Sequence, residues 1–276
     1  QGKLALAVEA YRQAIQADPK NVSIYITLAK LQVLTGDNQG DLDHAQSALL
    51  LNANNSMAYA IRGWALGRLG NYLEARGDIE KAISLDANNG AAYAYLAEVL
   101  ALQYQAGKDT LGLVQRAIDA SHTAQNLAPD ALETHLARGM VLEITQNYAE
   151  AAREFEAAIA INPNISSLHL ALGRNERALE NYSQAVEEFN RAIALNPGDP
   201  LPDTYIARTY LTTGDFPMAV QYALQAVKLA PGDPALYGNL GTMYYKNHQY
   251  REAADAFKLC IQGGTSAAGA AVQGLA

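Results

Sequence analysis

The most restrictive feature of this sequence is a short signal that returns every 34 residues. In most copies the signal ends in a proline that follows Asp, Asn or Ala, and alanine replaces the proline in two copies. The position is held by Pro19, Ala53, Ala87, Pro129, Pro163, Pro197 and Pro231. Successive members are 34 residues apart, except for one step of 42 between Ala87 and Pro129. A fixed period of roughly 20–50 residues is typical of stacked repeats and not of a globular fold built around one site.

The composition narrows the classes of function. The chain has 20 basic and 28 acidic residues, and its net charge is −8. Nucleic-acid affinity comes mainly from Lys and Arg that neutralise phosphates, so this balance predicts no nucleic-acid partner. The single cysteine, Cys260, excludes an internal disulfide. No run of about 18 apolar residues is present, so we expect no membrane insertion.

Each period contains two amphipathic segments. Between Ser56 and Asn89, apolar and small residues recur at three- and four-residue steps on both sides of Gly70. This spacing predicts a helix, a break and a second helix. Gly70 is expected to take the left-handed conformation that commonly ends a helix. When Ser56 is counted as slot 1 of a repeat, slots 8, 20 and 27 hold small residues in nearly every copy. These slots predict close helix–helix approach, where a larger side chain should cost about 1–3 kcal/mol.

The complete pattern resembles the tetratricopeptide repeat (TPR) family. It has an aromatic residue at slot 4, Leu at 7, Gly or Ala at 8, an aromatic residue or Leu at 11, Ala at 20, an aromatic residue at 24, Ala at 27 and Pro at 32. The resemblance covers roughly residues 3–262. Slot 27 shows how regular it is, with Ala14, Ala48, Ala82, Ala124, Ala158, Ala192, Ala226 and Cys260.

The resemblance implies an all-α fold, a right-handed TPR superhelix (an α-solenoid) of antiparallel helix pairs. We predict a single solenoid over residues 1–262. It consists of a half repeat at 1–21 and seven full repeats that start at residues 22, 56, 90, 132, 166, 200 and 234. A Gly/Ala-rich tail follows at residues 263–276. The resemblance also implies that first helices line a concave groove that binds a protein or peptide.

The chain departs from the pattern in its middle and at its ends. Eight extra residues lie around 105–112 and predict either a longer turn or helix, or a loop that contacts a partner. The first repeat lacks its first helix, the last lacks a polar cap helix, and the sequence starts with Gln1. Because solenoids usually need polar terminal caps, we expect a longer native chain or another molecule over the ends. Head-to-tail contact between identical chains would build a fibre.

The sequence contains no catalytic constellation, so we predict no enzyme activity, cofactor or metal site. His135 and His169 share slot 4, where packing is the predicted role and a metal or pH role is the alternative. Cys260 occupies a small slot and is predicted to be a buried, inert thiol. Glycosylation would require a secreted chain, and the compartment is open: cytoplasmic by default, extracellular or periplasmic as alternatives. The Asn-x-Ser acceptors, all predicted at turns, are Asn21, Asn54, Asn164 and Asn181.

The candidate binding residues are those on first helices that the register turns toward the groove. Trp64 is the only tryptophan, and Trp, Tyr and Arg are enriched at binding hot spots. The alternative is that Trp64 packs on a neighbouring first helix. Arg174, Arg177 and Arg208 predict a basic zone that could receive a carboxylate. The candidates are Lys30, Trp64, Arg68, Tyr95, Glu98, Met140, Glu143, Arg174, Arg177, Tyr205, Arg208 and Tyr245.

Three hypotheses about function follow from the sequence. The first is a non-enzymatic scaffold that binds a peptide or protein segment in the groove. The second is a structural subunit that assembles head to tail through its uncapped end repeats. The third is a TPR arm of a larger multidomain protein.

Overall fold

The described part of the chain is entirely helical. A computed structural model describes residues 2–35, 38–107 and 112–263, which form fifteen α-helices and no strand. The helices are α1 (Gly2–Ala17), α2 (Val22–Thr35), α3 (Asn38–Leu51), α4 (Ser56–Arg68), α5 (Tyr72–Leu85), α6 (Gly90–Gln105), α7 (Leu113–Leu127), α8 (Leu132–Ile144), α9 (Tyr148–Ile161), α10 (Ser166–Ala178), α11 (Tyr182–Leu195), α12 (Pro200–Thr213), α13 (Phe216–Leu229), α14 (Pro234–Lys246) and α15 (Tyr250–Gly263). No helix among them is long and apolar enough to span a membrane.

The helices pair along the chain as the all-α prediction requires. The even-numbered helices from α2 to α14 begin at the seven residues predicted as repeat starts. The contacts divide the chain into two compact units, unit 1 (1–168) and unit 2 (169–276), with the boundary inside α10. Within each unit, the helices that pack extensively are consecutive or next but one in the chain. The extent of a single solenoid over 1–262 stays a prediction.

In several repeats an Asn or Asp residue follows the second helix and forms a local hydrogen bond there. The side-chain oxygens of Asn52, Asp86 and Asn162 accept the backbone N–H two residues later, at 3.0–3.1 Å. Such a bond stabilises a turn in place of another helical turn. The bond therefore stabilises the turn at three copies of the 34-residue signal, whereas Ala128 and Ala230 hold the equivalent position in two others.

In five of the repeats the break falls at slot 15, where the backbone is left-handed. Gly70 and Gly214 both have φ of +84°, which confirms the prediction for Gly70. Gln146, Glu180 and His248 occupy the same slot with φ of 60–64°. The left-handed turn is therefore required by the hairpin even where the sequence does not supply glycine.

The small slots are confirmed as points of close approach. A Cβ atom added to Gly139 would lie 2.7 Å from the Phe155 ring, and one added to Gly173 would lie 2.6 Å from the Phe189 ring. Both rings are fully buried in their repeats. Cys260, in another small slot, is also buried, and burial raises the pKa of its thiol.

The eight extra residues of the fourth repeat lengthen its first helix. Helix α6 has 16 residues whereas α4 has 13. Gly107 and Gly112, both with positive φ, flank residues 108–111. Those four residues lie outside the described chain, as does the tail from residue 264. The predictions of a partner-contacting loop and of an end-to-end role for the tail therefore stay predictions.

Candidate binding surfaces on the first helices

The first helices of the repeats pack side by side within each unit. In unit 1 these are α2, α4, α6 and α8, and the side of them that carries the candidate binding residues is called the unit 1 face. In unit 2 they are α12, α14 and the part of α10 from His169 onward, and their exposed side is called the unit 2 face.

An aromatic stack lies at the centre of the unit 1 face. The rings of Trp64 on α4 and Tyr95 on α6 are 4.3 Å apart at an angle of 10°, and both are buried. Trp64 therefore packs on a neighbouring first helix, which is the alternative that the sequence left open. In this conformation it presents no surface to a partner, and its role in binding stays a prediction.

Two charged candidates complete this cluster. The Arg68 guanidinium lies 4.9 Å from the Trp64 ring centroid, where a cation–π contact is favourable. Its Nε donates to Glu98 Oε1 at 2.8 Å, and its Nη2 lies 2.8 Å from the same oxygen. Glu98 is buried, so Arg68 provides the partner that a buried carboxylate needs.

A second ion pair crosses the unit 1 face. Lys30 Nζ on α2 pairs with Glu133 Oε1 on α8, although α4 and α6 lie between those two helices. Neighbouring helices pack 8–10 Å apart, so a flat row would place α2 and α8 beyond the combined reach of a lysine and a glutamate. The pair therefore shows that the unit 1 face is concave.

Several buried polar atoms of this face have no hydrogen-bond partner among the described residues. They include Trp64 Nε1, the Tyr95 hydroxyl and the Thr134 hydroxyl. Burial, then the charges of Glu133 and Glu98, raise the pKa of Tyr95 well above its ordinary value. The hydroxyl is therefore protonated across the physiological range. Met140 is buried and Glu143 half-buried on α8.

The unit 2 face carries the predicted basic zone. Arg174 and Arg177 are half-buried on α10, and Arg208 is exposed on α12. Burial and then the charge of Arg208 lower the pKa of Arg177. Arg177 Nη2 donates to Thr212 Oγ1 at 3.4 Å, and its buried Nε has no partner among the described residues. Within the described part of unit 2, no carboxylate pairs with Arg177 or Arg208.

Two tyrosines flank this zone. Tyr205 on α12 stacks on Phe189 at 5.4 Å and is half-buried. Tyr245 on α14 is 47% exposed and contacts Tyr250 edge to face at 5.6 Å. Both rings can therefore contribute contact area beside the arginines.

The histidines of slot 4 bind carboxylates of the second helix in their own repeats. His135 Nδ1 lies 2.7 Å from Glu154 Oε2, and His169 Nδ1 lies 2.7 Å from Glu188 Oε2. The described residues contain no group of three or more side chains that could hold a metal ion. The four Asn-x-Ser asparagines lie exposed in the turns where they were predicted, and their glycosylation stays a prediction.

Two residues of these surfaces were missing from the candidates. Glu133 occupies slot 2, which the register already turns toward the groove, so a search for acids at that slot could have found it. Asp203 occupies slot 4 of its repeat, where the pattern expects an aromatic ring. Burial and the nearby Asp199 raise the pKa of Asp203 to about 6.

Solved structures share this fold at low sequence identity. The crystal structure of the Cut9–Hcn1 hetero-tetramer of APC/C matches with a TM-score of 0.67 and 15% identity, over 88% of this chain and 46% of that one. The type IV pilus biogenesis factor PilW matches with a TM-score of 0.64 and 20% identity, over 74% of this chain and 90% of that one. At these identities the likeness concerns the fold alone.

A curated sequence relative covers a smaller part of the chain. RNA polymerase II-associated protein 3 of Xenopus laevis is 33% identical over 115 residues, which are 39% of this chain and 16% of that protein. The chain thus spans about a sixth of the length of this relative.

Sequence models described as tetratricopeptide repeat match along the chain. They cover residues 1–36, 58–89, 132–165, 168–234 and 204–268. The matched segments agree with the helix pairs of the fold and together account for most of the chain. This protein belongs to the tetratricopeptide repeat family.

Proposed function

We propose that the chain is a non-enzymatic protein-interaction scaffold whose unit 2 face binds an acidic segment of another protein. The observation that carries the proposal is the pair of arginines, Arg177 and Arg208, that lie close enough to repel each other and have no carboxylate partner in the described part of unit 2. The family supports the general role, since its repeats are generally non-catalytic interaction modules.

The chemistry of the arginines favours a carboxylate ligand. A carboxylate placed between two guanidinium groups removes their repulsion and accepts charge-assisted hydrogen bonds in a planar geometry. The net charge of −8 makes the chain as a whole unsuited to a polyphosphate, so an acidic protein segment fits better than a nucleic acid.

The aromatic neighbours would add contact area. Tyr205 and Tyr245 stand on the same face, and tyrosine and arginine recur together at the energetic centres of interfaces. The arginines would then set the orientation of the segment and the tyrosines would bury its apolar side chains.

Binding of matched peptides tests this proposal. Three decapeptides with the same apolar residues and with acidic, neutral or basic residues between them are titrated into the protein by calorimetry. We expect the acidic peptide to bind best, and the double variant R177A/R208A to weaken its binding by about tenfold or more. Arg251→Ala is the matched control, because Arg251 is exposed on the second helix α15 of the same unit.

Two results would contradict the proposal. One is equal affinity for the three peptides. The other is an equal loss in R251A and in the double variant, which would indicate general electrostatic attraction. If duplex DNA competes with the peptide and the double variant abolishes DNA binding, the partner class is a nucleic acid instead.

Self-association is a second candidate, which exposed apolar side chains on the terminal helices favour. Leu6 on α1 is 71% exposed, and Leu259 and Ile261 on α15 are 47% and 42% exposed. Contact between these helices in different copies would bury them. Light scattering across a hundredfold range of concentration tests this, and a constant monomer mass would exclude it.

If the chain is an arm of a larger protein, as its short span of RNA polymerase II-associated protein 3 would fit, the same measurements apply to the intact protein.

A further inference from the structure

The two side chains of the ion pair that crosses the unit 1 face differ in how exposed they are. Glu133 is 7% exposed, whereas Lys30 is 41% exposed and comes from a helix three repeats earlier. The carboxylate is therefore built into the packed face, and the ammonium approaches it from the solvent side. The anion thus belongs to the packed face, whereas the cation reaches it from an exposed position.

The charge of this carboxylate acts on a buried hydroxyl of the neighbouring first helix. The Tyr95 hydroxyl is buried without a partner among the described residues, and Glu133 is the charged group with the largest effect on it. Native proteins rarely leave buried polar atoms unpaired, so each such atom calls for an explanation. An ammonium carries three donors, and a phenol or hydroxyl oxygen can accept one of them.

We propose that Glu133, with Tyr95 on the neighbouring first helix, forms a receptor for one basic side chain, and that Lys30 is its internal occupant. A lysine or arginine of a partner protein displaces Lys30 and pairs with Glu133 in its place. The inference concerns unit 1 and goes beyond the proposed function, which concerns acidic ligands on unit 2. Each can fail without the other.

The fluorescence of Trp64 can report this exchange. Trp64 is the only tryptophan and stacks on Tyr95, whose pKa the charge of the receptor carboxylate helps to raise. A change at the receptor is thus expected to alter the emission or the quenching of Trp64. The probe is an octapeptide of alternating lysine and alanine, which contains no Trp or Tyr.

Vacating the receptor should increase its affinity for the probe. In Lys30→Ala the internal competitor is gone, so we expect the octapeptide to bind about tenfold more tightly than to the wild type, with a change in Trp64 emission. Lys30→Gln, which keeps most of the side-chain length, should gain similarly if the alanine variant does not fold. Adding Glu133→Gln to either variant should remove the gain.

The matched control frees a carboxylate that is not part of a receptor. Lys258→Ala releases Asp255, whose ion pair is 63% exposed on both sides, and should leave probe affinity near the wild-type value. Unchanged affinity in both Lys30 variants would overturn the proposal, as would a gain that survives Glu133→Gln. Far-UV circular dichroism of each variant shows whether it is folded.

Discussion

At the scale of single residues, the glycines of this chain differ in whether a neighbouring side chain leaves room for a Cβ atom. A Cβ atom on Gly173 would lie 2.6 Å from the Phe189 ring, whereas one on exposed Gly77 would meet nothing within 4 Å. We expect Gly173→Ala to lower the free energy of unfolding by about 1–3 kcal/mol through overpacking. Gly77→Ala, inside α5, should raise it by up to about 1 kcal/mol because alanine favours a helix. Urea denaturation measures both, and similar losses in the two variants would contradict the packing argument.

Asp203 makes stability depend on pH in a direction unusual for a carboxylate. Its pKa in the folded chain is raised to about 6 from 3.8, so the folded state holds the proton more tightly than the unfolded state. Its effect is therefore absent below pH 3.8, and stability is lost as pH rises through 6. We expect Asp203→Asn to add about 1 kcal/mol at pH 7.5, a part of the free energy that corresponds to the full pKa change.

The gain in Asp203→Asn should disappear near pH 3.5. Urea denaturation at both pH values measures it, with Asp130→Asn as a control that makes the same charge change in an exposed turn. An equal gain at both pH values would show that burial of the charge is not the cause.

The sequence predicts residues well where one neighbour in the repeat decides their environment. The approach of Gly139 to Phe155, and the buried thiol of Cys260, follow from slot alone. The exposure of Trp64 could not be predicted in this way. Its slot faces the groove, but whether the ring is exposed depends on Tyr95 and Arg68, which come from other slots and turns.

At the scale of helices, Arg62 ties three elements together. Its Nε and Nη2 donate to the two carboxylate oxygens of Asp78 on α5, and its Nη1 donates to Gln46 on α3, each at 2.6 Å. We expect Arg62→Lys to cost about 1–2 kcal/mol, because lysine cannot form the planar two-point contact. The control is Arg116→Lys: Arg116 joins α7 to α5 through one contact at 3.0 Å to exposed Glu80.

The Arg116→Lys change should stay within about 0.5 kcal/mol of the wild type, as exposed pairs generally contribute little. Thermal and urea denaturation of the two variants compare the elements directly. A loss in R116K as large as that in R62K would mean that exposed and partly buried bridges contribute alike here.

At the scale of the whole molecule, the sequence could not predict contacts between residues that lie several repeats apart. The period predicts every helix pair, but the pairing of Lys30 with Glu133 depends on the small rotation between each repeat and the next, summed from α2 to α8. No single slot encodes that sum. The same holds for the two arginines on α10 and α12, whose proximity is set by packing between repeats.

Because helices pack mainly with their neighbours in the chain, damage should stay local. Gly241→Ala places a Cβ atom 2.7 Å from the Phe257 ring and so should loosen the contact between α14 and α15. We expect faster hydrogen exchange in α14 and α15, and protection in α4–α7 close to that of the wild type. Exchange followed by mass spectrometry resolves these segments. A uniform loss of protection along the chain would mean that the repeats unfold as one cooperative body, and that stability does not divide by repeat.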